Sequence, residues 1–223
     1  MNKLVLSSEE LREFSKTVEG WQSQEEADML FDTVSSLKDI GCIVEIGSWC
    51  GKSLVNIAAA ALKINFKNKI YSIDPFLTSK DEPNGRYETF VHNLKTCGLS
   101  ERIEHIKEKS QIAGLHFEDN IEFIFIDGFH KYEAVTRDFE LFSSRVVESG
   151  YVAIHDIFSY YGPAKLVCDV LENNNKFKYV KHTGNLFICQ KVAALTHTDI
   201  ENNKNMLGFM QNYISQNYAS MVK

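Results

Sequence analysis

Hydrophobic and polar positions alternate with two different periods along the chain. Residues 24–37 carry apolar side chains at helical spacing, which predicts an amphipathic helix ended by Gly41. Directly after it, Cys42–Ile46 is a short apolar run without polar alternation, which predicts a buried strand. The same two patterns predict further helices at Leu54–Ile64, Arg86–Cys97, Tyr132–Phe142 and Ala164–Asn173, and further strands at Lys69–Ile73, Arg102–Ile106, Ile121–Ile126 and Tyr151–Ile154.

Strands that alternate with helices and lack polar alternation are typical of a parallel sheet covered on both faces. Near the end of the pattern, Phe177–Val180 and Leu186–Gln190 flank the turn Thr183-Gly184-Asn185 and predict a closing antiparallel hairpin. The sequence therefore predicts an α/β fold with a doubly wound, mostly parallel, seven-stranded sheet.

The composition is that of an ordinary globular protein, with 44% hydrophobic and 24% charged residues. A formal net charge of −6 argues against nucleic acid as a partner, because phosphate binding favours clustered Lys and Arg. Five cysteines without a CxxC pair indicate reduced thiols. Neither a signal peptide nor an apolar run of roughly 20 residues is visible, so we expect a cytoplasmic protein without a membrane segment.

A glycine turn follows the first predicted strand. It reads Glu45-x-Gly47-x-x-x-Gly51 and leads directly into a helix. In doubly wound sheets, ligands bind at the carboxyl ends of the strands, where glycine permits a close backbone approach and the helix start offers free N–H groups. Such turns bind three ligand classes: dinucleotides, the phosphates of nucleotides, and the ligands of acidic-x-Gly-x-x-x-Gly turns.

Counting residues separates these classes. The dinucleotide fingerprint Gly-x-Gly-x-x-Gly requires a glycine where Trp49 stands. The phosphate-binding loop requires four residues between its glycine and Gly-Lys-Ser, whereas three separate Gly47 from Gly51-Lys52-Ser53. The acidic turn fits without a mismatch, and a nucleotide-binding enzyme using Gly51-Lys52-Ser53 is kept as a minor alternative.

The acid–glycine spacing resembles the first motif of class I S-adenosylmethionine-dependent methyltransferases. In that family the turn lies against the methionine part of the cofactor, and an acid after the second strand binds the ribose hydroxyls, as a carboxylate can. Asp74 stands at this position. Ser110-Gln111 is similar to a pair beside the adenine in catechol-type O-methyltransferases. The resemblance implies a site for S-adenosylmethionine made of Glu45, Gly47, Ser48, Gly51, Ser53, Asp74, Ser110, Gln111 and Asp127.

Acids and histidines follow the fourth and fifth strands, in Phe125-Ile126-Asp127-Gly128-Phe129-His130 and Ile154-His155-Asp156. These segments resemble the O-methyltransferases of macrolide sugars and aminocoumarin sugars. In those relatives, acids at these places bind a divalent cation, usually magnesium, that holds the substrate hydroxyl and lowers its pKa. The resemblance implies Asp127, His155 and Asp156 as metal ligands, and O-methylation of a small molecule such as a sugar or a secondary metabolite.

His155 departs from that metal pattern, since the relatives carry a carboxylate there. Magnesium prefers oxygen ligands, so an imidazole at this position favours a softer divalent metal or no metal. Without a metal, His130 or His155 is the candidate general base, because an unperturbed histidine titrates near ~6.5. The predicted catalytic residues are therefore Asp127, His130 and His155.

The resemblance covers roughly residues 40–190. We expect one domain over 1–223, with a helical N-terminal extension (1–40), a cofactor-binding core (40–191) and a helical C-terminal tail (195–223) docked on the domain or on a second subunit. In the family such extensions form lids or dimer contacts, which makes a homo-oligomer an expectation here. The irregular segment Leu77–Tyr87 is a candidate mobile loop at the mouth of the site.

Two further functions stay open at this point. The first is a non-catalytic cofactor-binding domain that serves as a partner subunit, against which Asp127, His130 and Asp156 together speak. The second is methylation of nucleic acid or protein, against which the acidic net charge speaks.

Overall fold

The computed structural model describes residues 5–77, 86–173, 175–219 and 221. Most of the predicted mobile loop, residues 78–85, lies outside the described part. The helices are α1 Ser8–Thr17, α2 Gln24–Ser35, α3 Lys52–Lys63, α4 Tyr87–Cys97, α5 Ser110–His116, α6 Tyr132–Ser143, α7 Tyr161–Asn173 and α8 His197–Asn217. The strands are β1 Cys42–Ile46, β2 Ile70–Ile73, β3 Ile103–Ile106, β4 Ile121–Ile126, β5 Val146–Ile154, β6 Phe177–Thr183 and β7 Leu186–Lys191.

The seven strands form one sheet in the order β3-β2-β1-β4-β5-β7-β6. The first five are parallel, and β7 runs antiparallel between β5 and β6. This confirms the predicted doubly wound, mostly parallel sheet with its antiparallel closing hairpin. The strand order reverses between β1 and β4, so their carboxyl ends flank the switch point where such sheets bind ligands.

Helices cover both faces of the sheet. One face packs against α6, α7 and α8, and the other against α1, α2, α3 and α4. Every residue of β1 and of β4 is buried, which explains why their sequences lack polar alternation. The described helices include none that is long and apolar enough to cross a membrane.

Both terminal segments dock on this core. α1 and α2 each begin with a capping box, and the hydroxyl of Ser8 donates to the carbonyl of Ala59 on α3 at 2.8 Å. The C-terminal helix α8 buries Met206, Met210 and Ile214 against the domain. The tail therefore packs on its own chain, while the predicted homo-oligomer stays a prediction.

Three details of the pattern were not predicted. α1 has few buried apolar residues, and its capping box from Ser7 to Glu10 is the signal that marks it. α5 has only seven residues and carries Gly114, which breaks its helical pattern. β5 begins at Val146 instead of Tyr151, because the strand bulges around Ser149, whose φ is 71°.

Candidate active site

The glycine turn brings the ends of β1 and β4 into direct contact. Gly47 has a φ of +85°, and its backbone N–H donates to the carbonyl of Ile73 at 2.9 Å. A Cβ at Gly47 would lie 2.2 Å from the carbonyl oxygen of Asp127. Only glycine fits both the left-handed backbone and this close approach.

Glu45 is buried directly before the turn. Its Oε1 accepts a hydrogen bond from the hydroxyl of Ser53 at 2.6 Å, whereas its Oε2 has no hydrogen-bond partner among the described residues. Burial raises the pKa of Glu45 to about 8, against the effect of the hydrogen bond from Ser53. A carboxyl group held in this way favours a cationic ligand group, which would restore its ionised form.

Asp74, which directly follows β2, stabilises the turn through hydrogen bonds. Its Oδ2 accepts hydrogen bonds from the backbone N–H groups of Ser48 at 2.9 Å and Trp49 at 3.0 Å. Its Oδ1 accepts from the N–H of Phe76 at 2.7 Å. A carboxylate has about four acceptor positions, so one position on Oδ1 is left for a ligand hydroxyl.

Ser110 and Gln111 both turn towards α6. The hydroxyl of Ser110 and the side-chain amide of Gln111 donate to Oδ1 of Asp138, at 2.6 and 2.7 Å. Asp138 is buried, and burial raises its pKa to about 6. Ser110 and Gln111, which are predicted to lie beside the adenine, are therefore hydrogen-bonded to Asp138, an acid that the sequence pattern did not single out.

Lys52 is engaged away from the turn. Its Nζ donates to the carbonyl of Val18 at 3.1 Å, just after α1. The side chain thus ties the N-terminal extension to α3. A phosphate-binding lysine needs its ammonium group free to face the loop.

A small cavity of about 50 Å³ lies between the turn and the N-terminal extension. It is lined by Glu19, Gly20, Trp21, Gln22, Gly47, Ser48, Trp49, Lys52, Ser53 and Asp127. Typical small-molecule sites enclose roughly 300–1,000 Å³, so this cavity has room for only a small part of such a ligand. A larger cavity of about 450 Å³ lies between α7 and α8 and shares no lining residue with it.

Three side chains at the ends of β4 and β5 converge on one point. Asp127, His130 and Asp156 each offer a ligand atom, and these atoms lie within 4.8 Å of one another. Nε2 of His130 is 3.0 Å from Oδ2 of Asp156 and 3.9 Å from Oδ1 of Asp127. Burial alone would lower the pKa of His130, but the two carboxylates outweigh it and raise that pKa to about 9.

His155 lies behind this cluster, between two acids. Its Nδ1 is 3.1 Å from Oδ1 of Asp127, and its Nε2 is 3.4 Å from Oε2 of Glu26 on α2. Burial alone would lower the pKa of His155, but the two carboxylates raise it to about 10. Both ring nitrogens of His155 thus face carboxylates, and the two roles predicted for it, metal ligand and general base, stay predictions.

Glu26 joins the N-terminal extension to this network. Besides contacting His155, its side chain accepts hydrogen bonds from the backbone N–H of Ser23 at 2.8 Å and of Asn185 at 2.6 Å. Burial alone would raise the pKa of Glu26, but these partners lower it to about 2. The sequence offered one signal for Glu26, the capping box with Ser23, and none for its contact with His155.

We expect Glu26→Gln to lower the free energy of unfolding at neutral pH. We also expect that free energy to depend less strongly on pH in the acidic range. The folded pKa is depressed from 4.5 to about 2, so the stabilisation is present above 4.5 and is lost as the pH falls towards 2. Its size is on the order of 3 kcal/mol. Urea unfolding between pH 7 and 2 measures it, with the exposed neighbour Glu25→Gln as control. Equal pH curves for Glu26→Gln and the parent would contradict the assignment.

Comparison with known proteins identifies the family. Residues 44–157 match the family described as "Methyltransferase domain", which is just over half of the chain and includes the glycine turn and both acidic strand ends. The chain belongs to this methyltransferase domain family. The membership confirms the resemblance predicted from the acid–glycine turn.

One curated relative of this methyltransferase domain is an uncharacterized protein, R132, of Acanthamoeba polyphaga mimivirus. It is 32% identical over 128 residues, which cover 55% of this chain and 54% of the relative. The chain therefore spans about half the length of this relative, which leaves the activity of the whole protein to be proposed from the site.

Solved structures share the fold. The O-methyltransferase NovP matches with a TM-score of 0.67 and 12% identity, covering 75% of this chain and 80% of NovP. TomG from Streptomyces achromogenes, an O-methyltransferase solved in complex with S-adenosylmethionine, matches with a TM-score of 0.59 and 12% identity. That alignment covers 86% of this chain and 92% of TomG.

Proposed function

We propose that the protein transfers the methyl group of S-adenosylmethionine to a hydroxyl group of a small molecule. The observation that carries this proposal is the position of Asp127. The backbone of Asp127 contacts the glycine turn, and Asp127 lines the cavity at that turn. Its side chain also belongs to the cluster with His130 and Asp156. The glycine turn and the cluster, which are the two halves of the proposed transfer site, therefore meet at Asp127.

The turn fits S-adenosylmethionine in its chemistry. Gly47 lines the cavity at the turn, Glu45 holds a buried oxygen without a partner among the described residues, and Asp74 keeps one acceptor position for a ribose hydroxyl. When bound, S-adenosylmethionine supplies an electrophilic methyl group on a sulfonium. The residues of the chain then bind and orient this group and keep water from it. Ser110 and Gln111 remain the proposed adenine neighbours.

The cluster of Asp127, His130 and Asp156 fits a divalent cation. Two carboxylates and an imidazole form a mixed oxygen and nitrogen set, which suits a metal softer than magnesium. A cation held there would lower the pKa of an acceptor hydroxyl. In this proposal His130 takes the ligand position predicted for His155, while His155 holds the carboxylate of Asp127 from behind.

The surface around the cluster supports an acceptor that contains a ring. Phe129 is 63% exposed and Tyr160 is 47% exposed, although aromatic side chains of this size are usually covered. The ring of Tyr160 stacks on His130 with centroids 4.2 Å apart and planes inclined by 15°. The partly exposed ring of Tyr160, which lies beside the cluster, offers a stacking surface for a sugar or an aromatic ring.

Two rival functions are less well supported. A nucleotide-binding enzyme would need Lys52 at a phosphate, whereas its Nζ donates to a carbonyl beyond α1. A non-catalytic partner domain has no use for three converging ligand atoms beside a cofactor turn.

The choice between the two histidines is testable by cation binding. Protein stripped with a chelator is titrated with Mn²⁺ and followed by electron paramagnetic resonance. We expect one bound ion in the parent, at least a tenfold loss of affinity in His130→Asn, and retention of binding in His155→Asn. The exposed His197→Asn serves as control.

Loss of Mn²⁺ binding in His155→Asn together with its retention in His130→Asn would instead support the ligand set Asp127, His155 and Asp156. No binding in the parent would remove the cation from the proposed function. In that case transfer would rest on the cofactor turn and on the histidine and acids without a metal.

A further inference from the structure

Gln22 has a buried side-chain amide without a partner. It lies between α1 and α2, directly before the N-cap residue Ser23. Both Nε2 and Oε1 are buried and have no hydrogen-bond partner in the described part of the chain. Leaving such a group unpaired is costly, because it loses its hydrogen bonds to water without gaining others, so each unpaired amide in a folded protein calls for an explanation.

The amide belongs to the cavity at the glycine turn. Gln22 lines that cavity opposite the turn residues Gly47 and Ser48, together with Ser53 and Asp127. Trp49 lines the same cavity, and its buried donor Nε1 has no hydrogen-bond partner among the described residues. Unpartnered polar atoms from both sides of one cavity indicate that a polar ligand completes their hydrogen bonds.

The segment that carries Gln22 is fixed on the core from several directions. Lys52 donates to the carbonyl of Val18, and Arg86 forms an ion pair with Glu19 at 3.2 Å. Trp21 packs on Trp49 with ring centroids 5.4 Å apart. Gln22 is therefore held towards the turn before any ligand arrives, which lowers the entropic cost of binding.

The chemistry of the cavity selects one end of the cofactor. A carboxamide both donates and accepts hydrogen bonds, which matches the α-carboxylate and the α-ammonium group of an amino acid. Lys52 lines the cavity too, but its ammonium group is bound to a backbone carbonyl. Gln22 is then the side chain whose amide can meet both charged groups.

We infer that Gln22 binds the amino-acid end of the cofactor, donating from Nε2 to its α-carboxylate and accepting at Oε1 from its α-ammonium group. The N-terminal extension thereby supplies a cofactor-binding residue that lies outside the matched methyltransferase region of residues 44–157. The inference rests on the proposed function, because it assigns a residue to the same cofactor.

The test compares two adenosine ligands by calorimetry on the full chain. S-Adenosylhomocysteine carries the amino-acid end, and 5′-methylthioadenosine lacks it while keeping the adenine, the ribose and the sulfur. We expect Gln22→Leu to weaken the affinity for S-adenosylhomocysteine by roughly tenfold or more, which is the effect of losing a hydrogen bond to a charged group. The affinity for 5′-methylthioadenosine should change less than twofold. Gln24→Leu, on the exposed face of α2, is the matched control.

Each outcome separates this inference from the proposed function. One outcome is that the parent binds S-adenosylhomocysteine and that Gln22→Leu lowers the affinity for both ligands equally, or for neither. The role of Gln22 is then overturned and the proposed function stands. If the parent binds neither ligand, both are overturned. Gln22→Met keeps the length of the side chain and removes both hydrogen-bonding groups, so the same selective loss is expected if the leucine variant does not fold.

Discussion

Replacing Gly47 by alanine is expected to disrupt both the fold around the switch point and the binding of the cofactor. The φ of +85° is strained for alanine, and its Cβ would meet the carbonyl oxygen of Asp127 at 2.2 Å and Cα of Gly128 at 2.8 Å. These atoms belong to the backbone and cannot rotate away. We expect a loss of stability of about 2–4 kcal/mol.

Two other glycine variants separate the causes of that loss. Gly51→Ala has a similar φ of +88°, but its Cβ would first meet a side-chain atom of Phe90 at 3.3 Å, so it tests the backbone strain with a milder contact. Gly208→Ala lies on α8 with nothing within 4 Å, and we expect it to be neutral or stabilising. Thermal unfolding and S-adenosylhomocysteine binding are measured for all three. A Gly47→Ala protein as stable as Gly208→Ala would contradict the described turn.

Asp127→Asn is expected to have the largest effect on turnover. The substitution keeps the size of the side chain but removes the charge that faces His130 and His155. The cluster loses one of its two carboxylates, and we expect the rate of S-adenosylhomocysteine formation to fall by about a hundredfold or more. The assay uses S-adenosylmethionine with a panel of ring-bearing alcohols and phenols, after metal has been added.

The control for this variant lies at the opposite end of the same strand. Asp119 precedes β4 and accepts a hydrogen bond from Tyr71 at 2.6 Å, at the amino edge of the sheet. Asp119→Asn should therefore leave the rate within about twofold of the parent. If Asp127→Asn also retains the parental rate, Asp127 has no part in the transfer and the proposed site is wrong.

Local sequence patterns predicted the sheet because the relevant forces are local. Runs such as Ile121–Ile126 are buried on both faces, and this burial is visible as the lack of polar alternation, with the buried Glu122 as the one polar residue of the run. The glycine turn was predictable for the same reason, since Gly47 is required by a conformation that spans a few residues. The family match over residues 44–157 includes this turn and confirms the family that the turn predicted.

Contacts between distant segments could not be predicted in the same way. Glu26 meets His155, and Asp138 meets Ser110, only after the chain has folded. Neither acid stands in a motif that names its partner. Nδ1 of His155 lies 3.7 Å from Oδ1 of the adjacent Asp156, as its place in the chain suggests, but the contact of its Nε2 with Glu26 was not predictable. Gln22 could not be predicted either, because the inference about it depends on its buried amide having no hydrogen-bond partner in the described part of the chain.

The proposed function depends above all on the glycine turn and Asp74 as the binding site of S-adenosylmethionine. The most direct measurement is a calorimetric titration of the full chain with S-adenosylhomocysteine, in parallel with Asp74→Ala. We expect one binding site in the parent and at least a tenfold weaker affinity in Asp74→Ala, because the turn loses the acceptor for Ser48 and Trp49 and the ribose loses its carboxylate. No binding in the parent, or equal binding in the two proteins, would contradict it.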